Sequence, residues 1–487
     1  MPGWTPDWLG WWGSSDYDVA RQVLQRGVGA LLVLAFAQMV TQFRPLLGEH
    51  GMLPVPAFVA RVPFRVAPSV FHWRYSDRLA MGVGVAGAVL AASVVAGLPQ
   101  RGPWWVPTVV LLVCWALYLS VVDVGQRFYG FGWEMLLCEA TFLVAWLGSD
   151  AVAVPWVVVV ASRWLLFRLE LGAGLIKWRG GHEWRDLTAL DYHHETQPMP
   201  GPFSWHAHHL PHWWHRIEVV GNHVTQLGVP WLLLLPQPFP SVAGAVVVLT
   251  QGWLVLTGNF AWLNWAAIVL GAGMVSDGTW QAVGSWVGIG PGPSSASAVV
   301  APTPSSFLVA VAAVGGVWLA LSWRPARNLV GPRQLMNASF EPLRLVNAYG
   351  AFGRVTRLRE EVVVEGTSDG WPGPEAVWRE YLFKGKPCEV GRRPPQVAPW
   401  HLRLDWSMWF IPLGSPSGWF VVFLRRLLEA DPATLRLLRV DPFGGVAPRW
   451  VRARLFRYRF SSREERRASG AWWVRDDVMV LVDPFRL

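Results

Sequence analysis

LIKWRGGHEWRDLTALDYHHETQPMPGPFSWHAHHLPHWWHRIEVVGNH, residues 175–223, lies between long apolar runs on both sides. Nine of the chain's twelve histidines fall in it, beside Trp, Asp, Glu and Arg. A polar, aromatic element set between apolar segments is costly to fold unless it builds a site or a docking surface. That contrast decides the fold class: an α-helical polytopic membrane bundle carrying a polar, histidine-dense insertion, followed by charged sequence of a different kind.

Crossing a bilayer core takes about 20 helical residues. Apolar stretches of that order occur at residues 23–42, 79–95, 106–122, 133–147, 152–176, 219–235, 242–257, 260–275 and 307–323, so roughly nine spans are expected. No small-residue cleavage site follows the first stretch, so it is expected to remain as an anchor. Residues 278–306 are rich in Gly, Ser and Pro without periodicity, the composition of a flexible linker. Most of the 34 tryptophans are expected to serve packing and interface belts.

Composition divides the chain into a transmembrane domain over residues 1–325, with the His/Trp-rich segment at 177–217, and a soluble α+β domain over residues 330–487. The second part holds 25 Lys and Arg against 17 Asp and Glu, a surplus of 8 out of the chain's net +9. No nucleic-acid-binding motif accompanies this charge, so no nucleic-acid partner is expected, and anionic membrane lipids suit it better. Residues 361–365 and 378–384 read as strands, and residues 419–428 as an amphipathic helix. Over residues 451–460, arginines at 452, 454, 457 and 459 alternate with apolar residues except for one slip at Leu455–Phe456. That pattern is a half-exposed strand with a bulge. Three cysteines make no disulfide framework, which argues against thiol–disulfide catalysis.

Charge inside apolar sequence marks candidate polar sites. Arg163, Glu170 and Lys177 are seven residues apart, so they share one helix face, and Arg168 points elsewhere. Glu134 and Glu139 on the preceding span are the expected counter-charges. Two readings stand side by side: an ion-pair network that fixes helix register, and a polar intramembrane cavity with Lys177 at its mouth as a candidate base. His208, His212 and His215 fall at i, i+4 and i+7, a spacing that suits a metal, but Pro211 interrupts the run and no metal is expected. Glycines around Gly271 lie in apolar sequence, where close helix packing is their expected use. Neither a nucleophile elbow nor a phosphate-cradling glycine loop is present. Nothing in the motif inventory demands an enzyme, no catalytic residue is assigned, and no cofactor is expected.

The same residues carry a family resemblance. Residues 172–177, Arg179, Gly180, Trp184, 186–188, 190–193, 195–198, Pro200, Trp205, 208–211, Asn222 and His223 match the pattern GAGLIK-x-R-G, W-x-DLT-x-LDYH-x-ETQP-x-P, W-x-x-HHLP and NH. That pattern resembles the lipase maturation factor family. Residues 347–367, 378–387 and 392–410 look like the family's C-terminal domain, with Pro387–Cys388 standing where the family usually has a Gly-containing step. The resemblance implies a membrane-bound, nucleotide-independent maturation or folding factor for exported proteins, whose partners are membrane lipids and an exported client such as a lipase. It points to Lys177, Arg179, Trp184, Asp186, Asp191, His193, Glu195, His208, His209, His215, Asn222 and His223 as the functional segment. Glu134, Glu139, Arg163 and Glu170 are its intramembrane polar companions. His193 and Glu195, two apart, would share a face if the segment is extended. A weaker, fold-level resemblance to vitamin K-dependent carboxylase-like membrane proteins implies the alternative, an intramembrane enzyme that modifies a lipid or an exported polypeptide. The family relation implies a bacterial cell membrane, corresponding to the endoplasmic reticulum membrane of eukaryotic relatives, with the charged parts on the extracytoplasmic side. The positive-inside rule would place them in the cytoplasm, but long loops and domains escape that rule.

Overall fold

The computed structural model describes residues 13–14, 16–286, 303–414 and 418–487. Three long apolar helices come first: α1 (Asp18–Leu47), α2 (Asp77–Val95) and α3 (Trp105–Val124). Then follow α4 (Gly132–Val144) and the charged helix α5 (Trp156–Arg179). The histidine segment folds as short helices α6 (Ala189–Thr196), α7 (Ser204–His208) and α8 (His212–His223). Beyond it lie α9 (Phe239–Thr257), α10 (Leu263–Ala272), α11 (Asp277–Trp286) and α12 (Ser305–Val330).

Among the described residues, five helices, namely α1, α2, α3, α9 and α12, are long and apolar enough to cross a membrane. The other expected spans depart for physical reasons. Helix α4 has 13 residues and α10 has 10, each short of a bilayer core. Helix α5 is long enough but carries Arg163, Arg168, Glu170 and Lys177. Residues 219–235 do not form one helix: after α8 the chain passes through a π turn (Val224–Gly228) and a 3-10 turn (Val229–Leu234). Pro230, which has no N–H to donate, sits where that backbone changes pitch. The expected linker at 278–306 also shrinks, because its first residues form α11; residues 287–302 lie outside the described residues.

Helix packing uses small residues where backbones meet. A Cβ on Gly244 of α9 would fall 2.2 Å from the Gly271 carbonyl oxygen of α10, the close approach expected of glycines in apolar helices. The N-terminus of α1 is closed from a distance. Asp277 accepts hydrogen bonds from the Asp18 and Val19 backbone N–H groups at 2.9 and 3.0 Å, satisfying donors that a helix start leaves open.

The C-terminal part is an antiparallel sheet of β1 (Arg359–Thr367), β2 (Arg379–Glu380), β3 (Trp450–Phe460) and β4 (Trp473–Phe485), in the order β2-β1-β3-β4. Helices α13 (Arg403–Trp409) and α14 (Gly418–Leu428) pack with it. The slip at Leu455–Phe456 is a register shift in the β3–β4 ladder, and both residues there are buried. The strand expected at 378–384 is confined to β2 and one bridge between Leu382 and Val440.

This part does not form a separate core. One apolar cluster runs from Phe36 and Leu136 of the bundle through Trp262 and Tyr349 to Trp406 and Phe420. The buried glutamates follow the same path, which corrects their expected partners. Glu134 does not meet the α5 face; it pairs with Arg403 at 2.6 Å, with His401 beside it at 3.6 Å. Glu139 pairs with Arg168 and accepts from the Asn347 backbone N–H at 2.9 Å and the Tyr349 hydroxyl at 2.6 Å. An unpaired buried charge is costly, and each glutamate lowers that cost by gathering donors from the C-terminal part.

Candidate functional site

A cavity of about 1560 Å³ lies where α5, the histidine segment, α9 and α10 face the C-terminal part. Much of its wall is apolar and aromatic, including Leu249, Trp253, Phe352, Trp406, Trp409 and Phe410. A polar strip crosses it. Glu170 accepts from Gln251 at 2.8 Å and from Gln226 at 3.2 Å. Lys177 donates to Gln226 at 2.7 Å and to Asn222 at 3.2 Å, with its ammonium 5.0 Å from the Trp184 ring. Asn264 completes the strip by donating to Gln251 at 2.9 Å. The acid and the amine of α5 are therefore bridged by an amide.

Arg163, Glu170 and Lys177 are all buried, as their common face requires, but Arg163 lies apart from the other two. It donates to the Tyr17 hydroxyl at 2.6 Å and sits over the Trp156 ring. Of the histidines, His193 and His194 line the cavity. His193 stacks on Phe260 and meets Phe352 edge-on. Burial pushes its imidazole down to about 4, with the nearby Lys177 charge adding to the effect. Burial likewise holds His194 well below the usual range. Both rings are thus neutral near pH 7, as polar walls of an apolar chamber would be.

The remaining expected residues divide by task. Trp184 donates to the Phe352 carbonyl at 2.8 Å, and His223 lies 3.0 Å from the Trp184 carbonyl. Arg179 donates to the Leu329 carbonyl at 2.9 Å, at the end of α12. Glu195 accepts from the Phe460 N–H at 2.6 Å and stands 3.6 Å from His208, so it docks the segment onto β3. His208 is also pushed down to about 4 by burial. His209 meets the Trp205 carbonyl at 2.7 Å. Asp186 is exposed and lies outside the cavity. His193 and Glu195 do not share a face, because their segment is the helix α6 rather than an extended run.

Asp191 brings His212 and His215 together, at 2.7 and 2.8 Å. The proline that seemed to break this run sits at its boundary: Pro211 is the N-cap of α8. His208 ends α7, so the three imidazoles do not share one helix. Sequence reasoning missed Gln226, Gln251, Asn264, His194 and Glu218. The first three carried a usable signal, as amides within otherwise apolar sequence, where a polar group requires a partner.

Comparison with known proteins covers nearly the whole chain. A family profile described as the Lipase maturation factor transmembrane domain matches residues 19–282, and one described as the Lipase maturation factor C-terminal domain matches residues 345–482. The chain is similar to Lipase maturation factor 1 of Bos taurus, 36% identical over 94% of this chain and 87% of that protein. Its counterpart in Homo sapiens is 35% identical over 96% of this chain and 88% of that protein. Lipase maturation factor 2 of Homo sapiens is 29% identical, over 93% and 81% respectively. No solved structure matches.

Proposed function

Since the chain belongs to the lipase maturation factor family, we propose that it matures an exported lipase from within the membrane, by holding part of an incompletely folded client in the cavity. The observation that carries this reading is the wall: a chamber of about 1560 Å³ that mixes aromatic surface with neutral imidazoles and amides. Such a surface accepts apolar segments and still offers hydrogen bonds to unpaired backbone. The enzyme alternative gains no comparable support. Lys177 is held by two amides, and among the described residues His193 has no carboxylate partner that would orient it as a base. The compartment we assign is a bacterial cell membrane, with the histidine segment and the C-terminal part extracytoplasmic. Helix α5 and the shorter α4 and α10 would stand among the five crossing helices, their charges and short lengths compensated by the buried contacts described above.

The test compares membrane abundance of the protein with secreted lipase activity in the same cells. His193→Ala and Lys177→Met are expected to leave abundance within about twofold while lipase activity falls several-fold. A proportional fall of both quantities would make the cavity wall mere scaffold. Normal lipase secretion with a missing lipid or peptide modification would favour the enzyme instead.

A further inference from the structure

Behind the cavity wall, α6 and α8 bring two histidines and a glutamate into one pocket. His194, His215 and Glu218 each offer one ligand atom, all within 4.8 Å of one another. His194 is 3% exposed, and neither of its ring nitrogens has a hydrogen-bond partner. Glu218 stands 4.0 Å from His194, and neither of its buried oxygens has a hydrogen bond of normal geometry; burial pushes its carboxyl above the usual range, against the opposing pull of the Trp253 and Trp214 indoles. Leaving so many buried polar atoms without partners costs about 1–3 kcal/mol for each group, which is unusual in a native interior. The third ligand is oriented. Asp191 holds the Nδ1 of His215 at 2.8 Å, the carboxylate–imidazole arrangement that fixes a ring as a metal ligand through its other nitrogen. That other nitrogen, Nε2, is hydrogen-bonded to the Ala207 carbonyl oxygen at 3.0 Å, a bond it exchanges for the ion.

We propose that His194, His215 and Glu218 form a binding site for one divalent transition-metal ion, zinc by ligand chemistry, with Asp191 as the positioning residue. Two imidazoles and a carboxylate suit zinc, which binds them at about 2.0–2.2 Å. Ligands of a tetrahedral ion sit about 3.3 Å apart at such bond lengths, so modest side-chain rotation closes the site. His194 and Glu218 also line the cavity. The fourth position of the ion therefore opens onto it, where a water or a client carbonyl could bind.

The experiment uses the full-length protein in detergent, stripped with chelator and titrated with Co²⁺ and then Zn²⁺. Wild type is expected to take up one Co²⁺ per chain, with the visible absorption of a four- or five-coordinate ion, and to exchange it for Zn²⁺. Glu218→Gln, which preserves shape, should abolish the spectrum while leaving the metal-free melting temperature unchanged. Asp191→Asn should weaken Zn²⁺ binding by about 10–100-fold, and His212→Ala should leave it unaltered. Wild type that binds no stoichiometric Co²⁺ would overturn the proposal. So would binding that survives Glu218→Gln, and if His212→Ala removes it instead, the ion belongs to the outer trio of Asp191, His212 and His215.

Discussion

Arg403 is fully buried and donates both to the Phe128 carbonyl at 2.7 Å and to Glu134 at 2.6 Å. Replacing it with methionine keeps bulk but leaves Glu134 without its cation. Removing one partner of a buried pair costs about 3–5 kcal/mol, whereas replacing both partners with apolar residues costs much less. Thermal unfolding in detergent should show Arg403→Met strongly destabilised and Arg403→Met with Glu134→Leu partly restored. Acid should find a different weak point. His193 is held at about 4 against an ordinary 6.5. Between those values the unfolded chain binds more protons than the folded one, so stability is complete above about pH 6.5 and falls as pH drops towards 4. His193→Phe, which stacks but cannot take a proton, should flatten that part of the stability–pH curve. A slope unchanged by this substitution would show that His193 does not cause the acid sensitivity.

At the scale of elements, the strongly periodic pieces were legible in the sequence and the ambiguous ones were not. The residues of α1, α2, α3, α9 and α12 are apolar over enough length that only a helix can satisfy their backbone in lipid. The arginine alternation of β3 showed its strand and even its bulge at Leu455–Phe456, because a period of two slips visibly when one residue is added. Residues 219–235 looked like another span, since hydropathy does not register a change from α to π and 3-10 pitch. The candidate site divided in the same way. Lys177 and His193 stood out by type, but Arg403 and Asn347, which donate to Glu134 and Glu139, lie more than 200 residues away in sequence, a separation on which helical spacing is silent. Close packing gives one further expectation: Gly244→Ala should force α9 from α10 and cost about 1–3 kcal/mol. The measurement is the melting temperature in detergent, with Gly252→Ala, whose added carbon meets nothing within 4 Å, as the neutral control on the same helix.

For the molecule as a whole, the division into a membrane bundle and a soluble domain describes composition better than it describes cohesion. Arg359 of β1 is fully buried, and it donates to the carbonyls of Glu195 at 2.8 Å and Pro198 at 3.0 Å in the histidine segment. Asn347, His401 and Arg403 are likewise buried against the bundle. A fragment of residues 330–487 would expose this apolar and charged face to water together. Expressed alone, it should aggregate or lack the near-ultraviolet circular dichroism of packed tryptophans, and a soluble, cooperatively melting fragment would contradict this account.

Asp277 caps the start of α1 from 259 residues downstream, and Gln42 on the same helix bonds the His401 carbonyl and the Arg403 N–H from even farther. Synthesis runs from the N-terminal side, so this helix emerges from the ribosome well before the residues that complete it. Over that interval its start and its buried amide lack these partners. The nascent chain must therefore be kept from premature commitment while the rest is made. A protein assigned to tending the unfinished folds of others thus has, in its own birth, an interval in which it needs the same care.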